Sequence, residues 1–312
     1  MEYLLLIIGC AILIAGANWL VEGASGLAKR FNVSNLVIGL TVVAFGTSSP
    51  ELVVNLIASF KGSSEIALTN VIGSNIINVF VILGIVALIS PVPSQRSHNI
   101  QIILSIIAAL SLVVLGVWGD GILTRLDAVI LLLFFSYFIY RTFKDANEHK
   151  KEMESDYADE VFVPMKIWKA ILLIIAGLVA LVGGGELIVR NAVWIARAWG
   201  VSEAIIGLTI VALGTSLPEL ATSAIAAMKK NTDLAIGNVI GSNIFNVFFV
   251  LGISAFVREL PAYKNMLNDS LFAALGSVLL IVFIYSHKSR RINRGQGFLL
   301  LAVYAVYLFF SL

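Results

Sequence analysis

An all-α membrane protein of about ten transmembrane helices, built as two inverted five-helix repeats, is the fold class this sequence predicts. Three observations predict it. The chain of 312 residues is 59% hydrophobic and only 13% charged, whereas an average soluble domain is about 45–50% apolar and about 25% charged. Apolar runs of roughly 18 or more residues recur, each long enough to cross about 30 Å of hydrocarbon. The first half of the chain is also repeated in the second.

The helices are expected at 3–28, 33–60, 65–90, 99–118 and 122–143, then at 165–197, 201–228, 233–257, 267–286 and 296–311. The first run leads on to Lys29-Arg30, without a basic leader or a small-residue cleavage site, so it reads as a span and not as a secretory signal. Its Cys10 is the single cysteine, which allows neither an internal disulfide nor a thiolate zinc site and reads as helix filler. Residues 144–164 are dense in both signs of charge and form the one extended hydrophilic segment. They are read as a loop linking the repeats 1–143 and 165–312.

Lys and Arg set the orientation. With these spans, fifteen fall on the side of the 144–164 segment and six on the other. The linker is therefore expected in the cytoplasm and both termini outside, in a plasma (inner) membrane. A net charge of +2 gives no reason to expect nucleic acid, and no required protein partner is evident. Membrane lipid is the expected surrounding.

The repeat is the most specific feature. GLTVVAFGTSSPELVVNLIAS begins at Gly39 and GLTIVALGTSLPELATSAIAA at Gly207, 168 residues apart. NVIGSNIINVFVILGI at Asn70 and NVIGSNIFNVFFVLGI at Asn238 keep that offset. Five helices make an odd number of crossings, so the second copy enters from the opposite face. Sites in such inverted pairs lie near the midplane, between the repeats. The identities fall on Gly, Thr, Ser, Pro, Glu and Asn, residues costly in lipid, so packing alone explains them poorly.

Pro50 and Pro218 lack an amide hydrogen and clash with the carbonyl four residues earlier, so they should distort their helices and free the carbonyls of Gly46 and Gly214, with those near Ala44 and Ala212. Thr47 and Ser48 lie four and three residues before Glu51, on one helix face; Thr215 and Ser216 stand likewise to Glu219. Ser74 and Asn78 are four apart in the next helix, as are Ser242 and Asn246. Opposing the copies would gather two carboxylates, hydroxyls, amides and carbonyls into an all-oxygen site of formal charge about −2. Such a site suits a hard cation such as calcium. Zinc or copper would call for His or Cys, and His98, His149 and His287 all fall in loops or at helix ends. Buried carboxylates are costly in a membrane and are usually functional, and no Lys or Arg lies on a matching face. Asn75 and Asn243 read as structural, as helix-break caps. Glu22, which aligns with Arg190, and Glu186 read as interfacial or cavity-lining.

The paired GTSSPE and GTSLPE stretches, each followed by GSNIxN, resemble the alpha-repeats of the calcium/cation antiporter superfamily, most closely its sodium/calcium exchanger branch in prokaryotic form. The resemblance covers nearly the whole chain. It implies a transporter, not an enzyme, that exchanges sodium for calcium by alternating access and needs no cofactor. By motif, the implied ligands are Ala44 (backbone), Thr47, Ser48, Glu51, Ser74 and Asn78, with Ala212 (backbone), Thr215, Ser216, Glu219, Ser242 and Asn246. It also implies that the first and sixth helices slide across the core, with Gly16, Gly23, Gly26, Gly177 and Gly183–Gly185 allowing close contact. Potassium-dependent relatives carry aspartate at the position of Asn246, so the asparagine argues against potassium co-transport. The alternatives are calcium/proton exchange, potassium-dependent exchange and, from a different class, a passive cation channel. An intramembrane enzyme is disfavoured, because no nucleophile or catalytic histidine accompanies the two glutamates.

Overall fold

The computed structural model describes residues 1–93, 99–117, 121–156, 165–201, 212–286 and 291–311. In chain order these form α1 (Glu2–Phe31), α2 (Asn35–Thr47), α3 (Ser49–Lys61), α4 (Ser64–Ile89), β1 (Val92–Pro93), α5 (Asn99–Val117), β2 (Ile122–Leu123) and α6 (Arg125–Asp156). There follow α7 (Ile167–Ala198), α8 (Ala212–Thr215), α9 (Leu217–Met228), α10 (Thr232–Val257), β3 (Leu260–Pro261), α11 (Met266–Ser286), β4 (Arg291–Ile292) and α12 (Arg294–Ser311). Helices α2 and α3 are one span bent by 46°. With α8 and α9 taken together likewise, ten helices cross the membrane as two inverted five-helix repeats. Residues 202–211 of the expected seventh helix lie outside the described residues, as do His98 and His287.

Two short strand pairs tie the halves together. β1 pairs with β4 through Val92 and Ile292, and β2 pairs with β3 through Leu123 and Leu260. β1 follows the third span and β4 the ninth, so both lie on one face. β2 follows the fourth span and β3 the eighth, which places both on the other. The strand pairs thus agree with the parity of ten crossings.

Burial sorts the helices. α4 and α10 are the centre, with 72% and 83% of their most apolar stretch buried, against 33% for α1 and 28% for α7. α1 and α7 lie against each other across the outside of this centre, where their remaining apolar faces meet lipid. Their contact is backbone to backbone. A Cβ built on Gly16 would lie 2.8 Å from the Gly177 carbonyl, and one on Gly177 would lie 2.7 Å from the Leu20 nitrogen. Gly9 and Gly184 repeat this contact seven residues away, and a Cβ on Gly23 would lie 2.7 Å from the Ala170 carbonyl. Small residues of this kind let helices approach where lipid supplies no hydrophobic drive. Of the other expected contact glycines, a Cβ on Gly26 would meet the Met165 side chain, one on Gly185 would make ordinary contact with Leu13 and Leu217, and one on Gly183 would meet nothing within 4 Å among the described residues.

The hydrophilic segment after 143, expected as loop, is helical as far as Asp156. The physical reason is local. Residues 144–156 contain no Gly or Pro and are rich in Lys and Glu, which lose little on entering a helix. Arg141 also binds Asp145 at 3.0 Å, one turn on. His149 falls in this stretch.

Candidate functional site

The two motif segments fold alike. The backbone leaves the helix at Ser48 (φ −86°, ψ 9°) and at Ser216 (φ −88°, ψ 4°). A new helix starts at the next residue, so Pro50 and Pro218 occupy its second position. There the missing N–H is one that has no intrahelical partner anyway. The break therefore falls where the sequence expects it. The Ala44 carbonyl nevertheless keeps its helical bond from the Ser48 N–H at 3.0 Å and takes a second, 3.4 Å contact from the Thr47 hydroxyl. Ala212 opens the described part of α8.

The break turns Glu51 and Glu219 inward, and they are 0% and 1% exposed. The repeats then cross-connect. The Ser48 hydroxyl donates to Glu219 Oε1 at 2.7 Å and meets Ser242 Oγ at 3.0 Å. Ser74 donates to Glu51 Oε1 at 3.4 Å, and Ser216 meets Ser74 at 3.4 Å. Thr215 lies beside Glu51, and Thr47 beside Glu219. Each carboxylate is thus approached by hydroxyls of the opposite repeat. Among the described residues neither has a basic partner within 4 Å.

Four asparagines close the site. Asn78 donates its amide to Asn243 Oδ1 at 3.0 Å, and Asn246 donates to Asn75 Oδ1 at 3.2 Å. Asn75 and Asn243 donate in turn to each other's backbone carbonyl, at 3.2 and 3.5 Å. Asn75 and Asn243 are structural, as expected, but they are not helix caps: they clasp the two repeats. By holding the NH2 groups of Asn78 and Asn246 they fix the orientation of those side chains. Short π-helical stretches begin at Asn78 and Phe245, and such bulges often mark functional positions in helices.

The result, among the described residues, is a set of buried oxygens with nothing to accept from: Glu51 Oε2, Glu219 Oε2, Asn78 Oδ1 and Asn246 Oδ1, one symmetric pair of each type. Buried polar atoms are normally partnered. Four orphans at symmetry-related positions are the signature of a place for something positive.

Sequence reasoning missed an outer layer. Asn70 donates to Asn55 Oδ1 at 2.7 Å, and Asn238 donates to Ser223 Oγ at 3.0 Å. Asn238 also accepts the Thr47 hydroxyl at 3.1 Å. These groups hold α3 against α4 and α9 against α10. The identity of Asn70 with Asn238 was the available signal.

Access to the two sides differs. A cavity of about 390 Å³ beside the C-terminal half of α7 is lined by Pro50, Glu186, Arg190, Thr215 and Pro218, among others. Thr215 is partly exposed, whereas its counterpart Thr47 is fully buried. A larger cavity, of about 830 Å³, is lined in part by Glu22 and lies by the N-terminal end of α7.

One consequence concerns the asparagine clasp. Asn243→Ala should leave the fold intact but free the Asn78 amide to rotate. Cation affinity is expected to fall about tenfold, the worth of one hydrogen bond to a buried group. Calorimetric titration checks this; unchanged affinity would contradict the orienting role.

Comparison with known proteins agrees with this geometry. The family described as "Sodium/calcium exchanger protein" matches residues 1–144 and 169–312. A putative antiporter, CaxA, of Alkalimonas amylolytica is 35% identical over 310 residues, covering 96% of this chain and 95% of its own. The sodium/calcium exchanger MaX1 of Methanosarcina acetivorans is 30% identical over 352 residues, covering 98% and 97%. The solved structure of the sodium-calcium exchanger NCX_Mj soaked with 2.5 mM Na+ and 1 mM Sr2+ superposes with a TM-score of 0.83 at 33% identity, over 98% and 97% of the two chains. Motifs, repeat, fold and relatives agree, and the chain belongs to the sodium/calcium exchanger family of membrane antiporters.

Proposed function

We propose that this protein exchanges sodium for calcium by alternating access, through a site made of Glu51, Glu219 and the hydroxyls and amides around them. The observation that carries this reading is the four unpartnered buried oxygens, two from carboxylates and two from amides. Two carboxylates without basic partners present a formal charge of −2, which one calcium ion or several sodium ions neutralise. The neutral hydroxyls of Thr47, Ser48, Ser74, Thr215, Ser216 and Ser242 complete an oxygen shell of the kind calcium takes, about six to eight ligands. The backbone oxygen of Ala44 joins this shell by exchanging its long 3.4 Å contact with the Thr47 hydroxyl for the ion, and that of Ala212 is assigned by symmetry.

Coupling follows from cost. An empty site of charge −2 is expensive to carry through hydrocarbon, so the loaded forms are the ones that switch access. The close, glycine-lined contact holds α1 against α7, and the two helices slide together across the core. In this arrangement the cavity at Thr215 is the open path, on the outer side by the Lys and Arg distribution. Asn246 supports a potassium-independent cycle: its NH2 donates to Asn75 Oδ1, a bond that an aspartate could not make.

Exchange of about three sodium ions for one calcium moves one net charge per cycle. Each charge is worth about 2.3 kcal/mol per 100 mV. Calcium accumulation in proteoliposomes should therefore shift about fiftyfold per 100 mV of imposed potential. Accumulation insensitive to potential would contradict that stoichiometry. The test of sodium against protons as the driving ion is calcium uptake under imposed sodium or pH gradients.

A further inference from the structure

The 830 Å³ cavity by the N-terminal end of α7 has no part in the cation site. Its lining includes five lysines from three places: Lys29 of α1, Lys166 and Lys169 at the start of α7, and Lys229 and Lys230 after α9. Two acids, Glu22 and Asp233, face the same space. The excess is positive, the wrong sign for a sodium or calcium vestibule and the right sign for an anion. The first turn of α7 has no side-chain cap, so its free amide N–H groups and positive dipole end add to the field.

We propose that this cavity binds the phosphate of an anionic phospholipid. Lys166, Lys169, Lys229 and Lys230 hold the phosphate. A lipid, and not free phosphate, fits the surroundings. Ile167 and Trp168 stand exposed beside the lysines, an apolar and aromatic edge of the kind found at membrane interfaces, along which acyl chains can lie. Basic pockets between spans on the cytoplasmic side are suited to such headgroups, and the Lys and Arg distribution puts this cavity on that side.

The position gives the site a consequence. Its walls come from α1 and α7 on one hand and from α2 and the α9–α10 turn on the other. The Ser25 hydroxyl already accepts from the Asn231 amide at 3.0 Å across this gap. A bound headgroup bridges the same two bodies and neutralises lysines that would otherwise repel cations on this side. The proposal stands whichever ion drives calcium movement.

The experiment is native mass spectrometry of the full-length protein with added phosphatidylglycerol or phosphatidylcholine of identical chains. The parent should retain phosphatidylglycerol about tenfold better. Replacing Lys166, Lys169, Lys229 and Lys230 together with glutamine should abolish the preference, and replacing the same four with arginine should restore it. All four side chains are solvent-exposed, so these variants should fold. Equal retention of the two lipids, or a preference that survives in the glutamine variant, would overturn the site. Displacement of the lipid by millimolar inorganic phosphate or glycerol phosphate would overturn its assignment to lipid and give it to a soluble phosphate.

Discussion

Glu51→Gln and Glu219→Gln should each reduce calcium exchange to below about one per cent of the parent. The substitution keeps the shape of the side chain and removes one of the two charges that face the cation. Two unit charges at 4 Å interact by about 4 kcal/mol at an effective dielectric of 20, and a divalent ion at ligand distance loses more than that. At about 1.4 kcal/mol per decade, affinity falls by roughly a thousandfold or more. The ion-free protein should be no less stable, because a buried carboxylate without a basic partner is itself a burden. Thermal melting separates the two effects. The parent should melt higher with calcium present, by the equivalent of about 2.7 kcal/mol at a hundred times the dissociation constant. The variants should start at or above the parent's ion-free midpoint and show no calcium shift. A variant that still gains stability from calcium, or exchanges at the parental rate, would remove that glutamate from the centre of the site.

Gly16→Val and Gly177→Val carry the second large expected effect, and they act on movement instead of binding. A Cβ at either position falls within 3.0 Å of backbone in the facing helix, so α1 and α7 must separate to admit it. Overpacking of this kind costs about 1–3 kcal/mol, and here it also pries apart the two helices that are proposed to slide together across the core. Exchange should drop at least tenfold while equilibrium calcium binding, measured by calorimetry, stays within about threefold of the parent. Neither residue lies in the oxygen cluster. Loss of binding together with exchange would mean that the glycines serve the site's architecture and not its motion.

Much of this was legible in the sequence, because the signals are local and doubled. The breaks at Ser48 and Ser216 follow from proline chemistry and appear at both copies. The convergence of Glu51 with Glu219 follows from the 168-residue offset together with an odd number of helices per copy. What the sequence hid depends on contacts across the two-fold axis. Asn75 and Asn243 share a pattern with Asn78 and Asn246, but only the packing of α4 against α10 reveals that each pair orients the other. Gly9 joins the α1–α7 contact because of the register between those helices, which no single-helix pattern encodes. The short β1–β4 and β2–β3 pairs bring together residues almost 200 or about 140 apart, and two-residue strands leave no periodicity to detect. The helix running on to Asp156 was obscured for the opposite reason. Its charge reads as loop, although its composition favours helix.

The most direct test of the account is calcium-45 entry into proteoliposomes loaded with sodium and diluted into sodium-free, potassium-free buffer, with the internal and external pH held equal. The account predicts uptake that rises with the outward sodium gradient, needs no potassium and is absent in Glu51→Gln and Glu219→Gln. Uptake that ignores the sodium gradient and follows an imposed pH gradient instead, or that appears only when potassium is added, would contradict it.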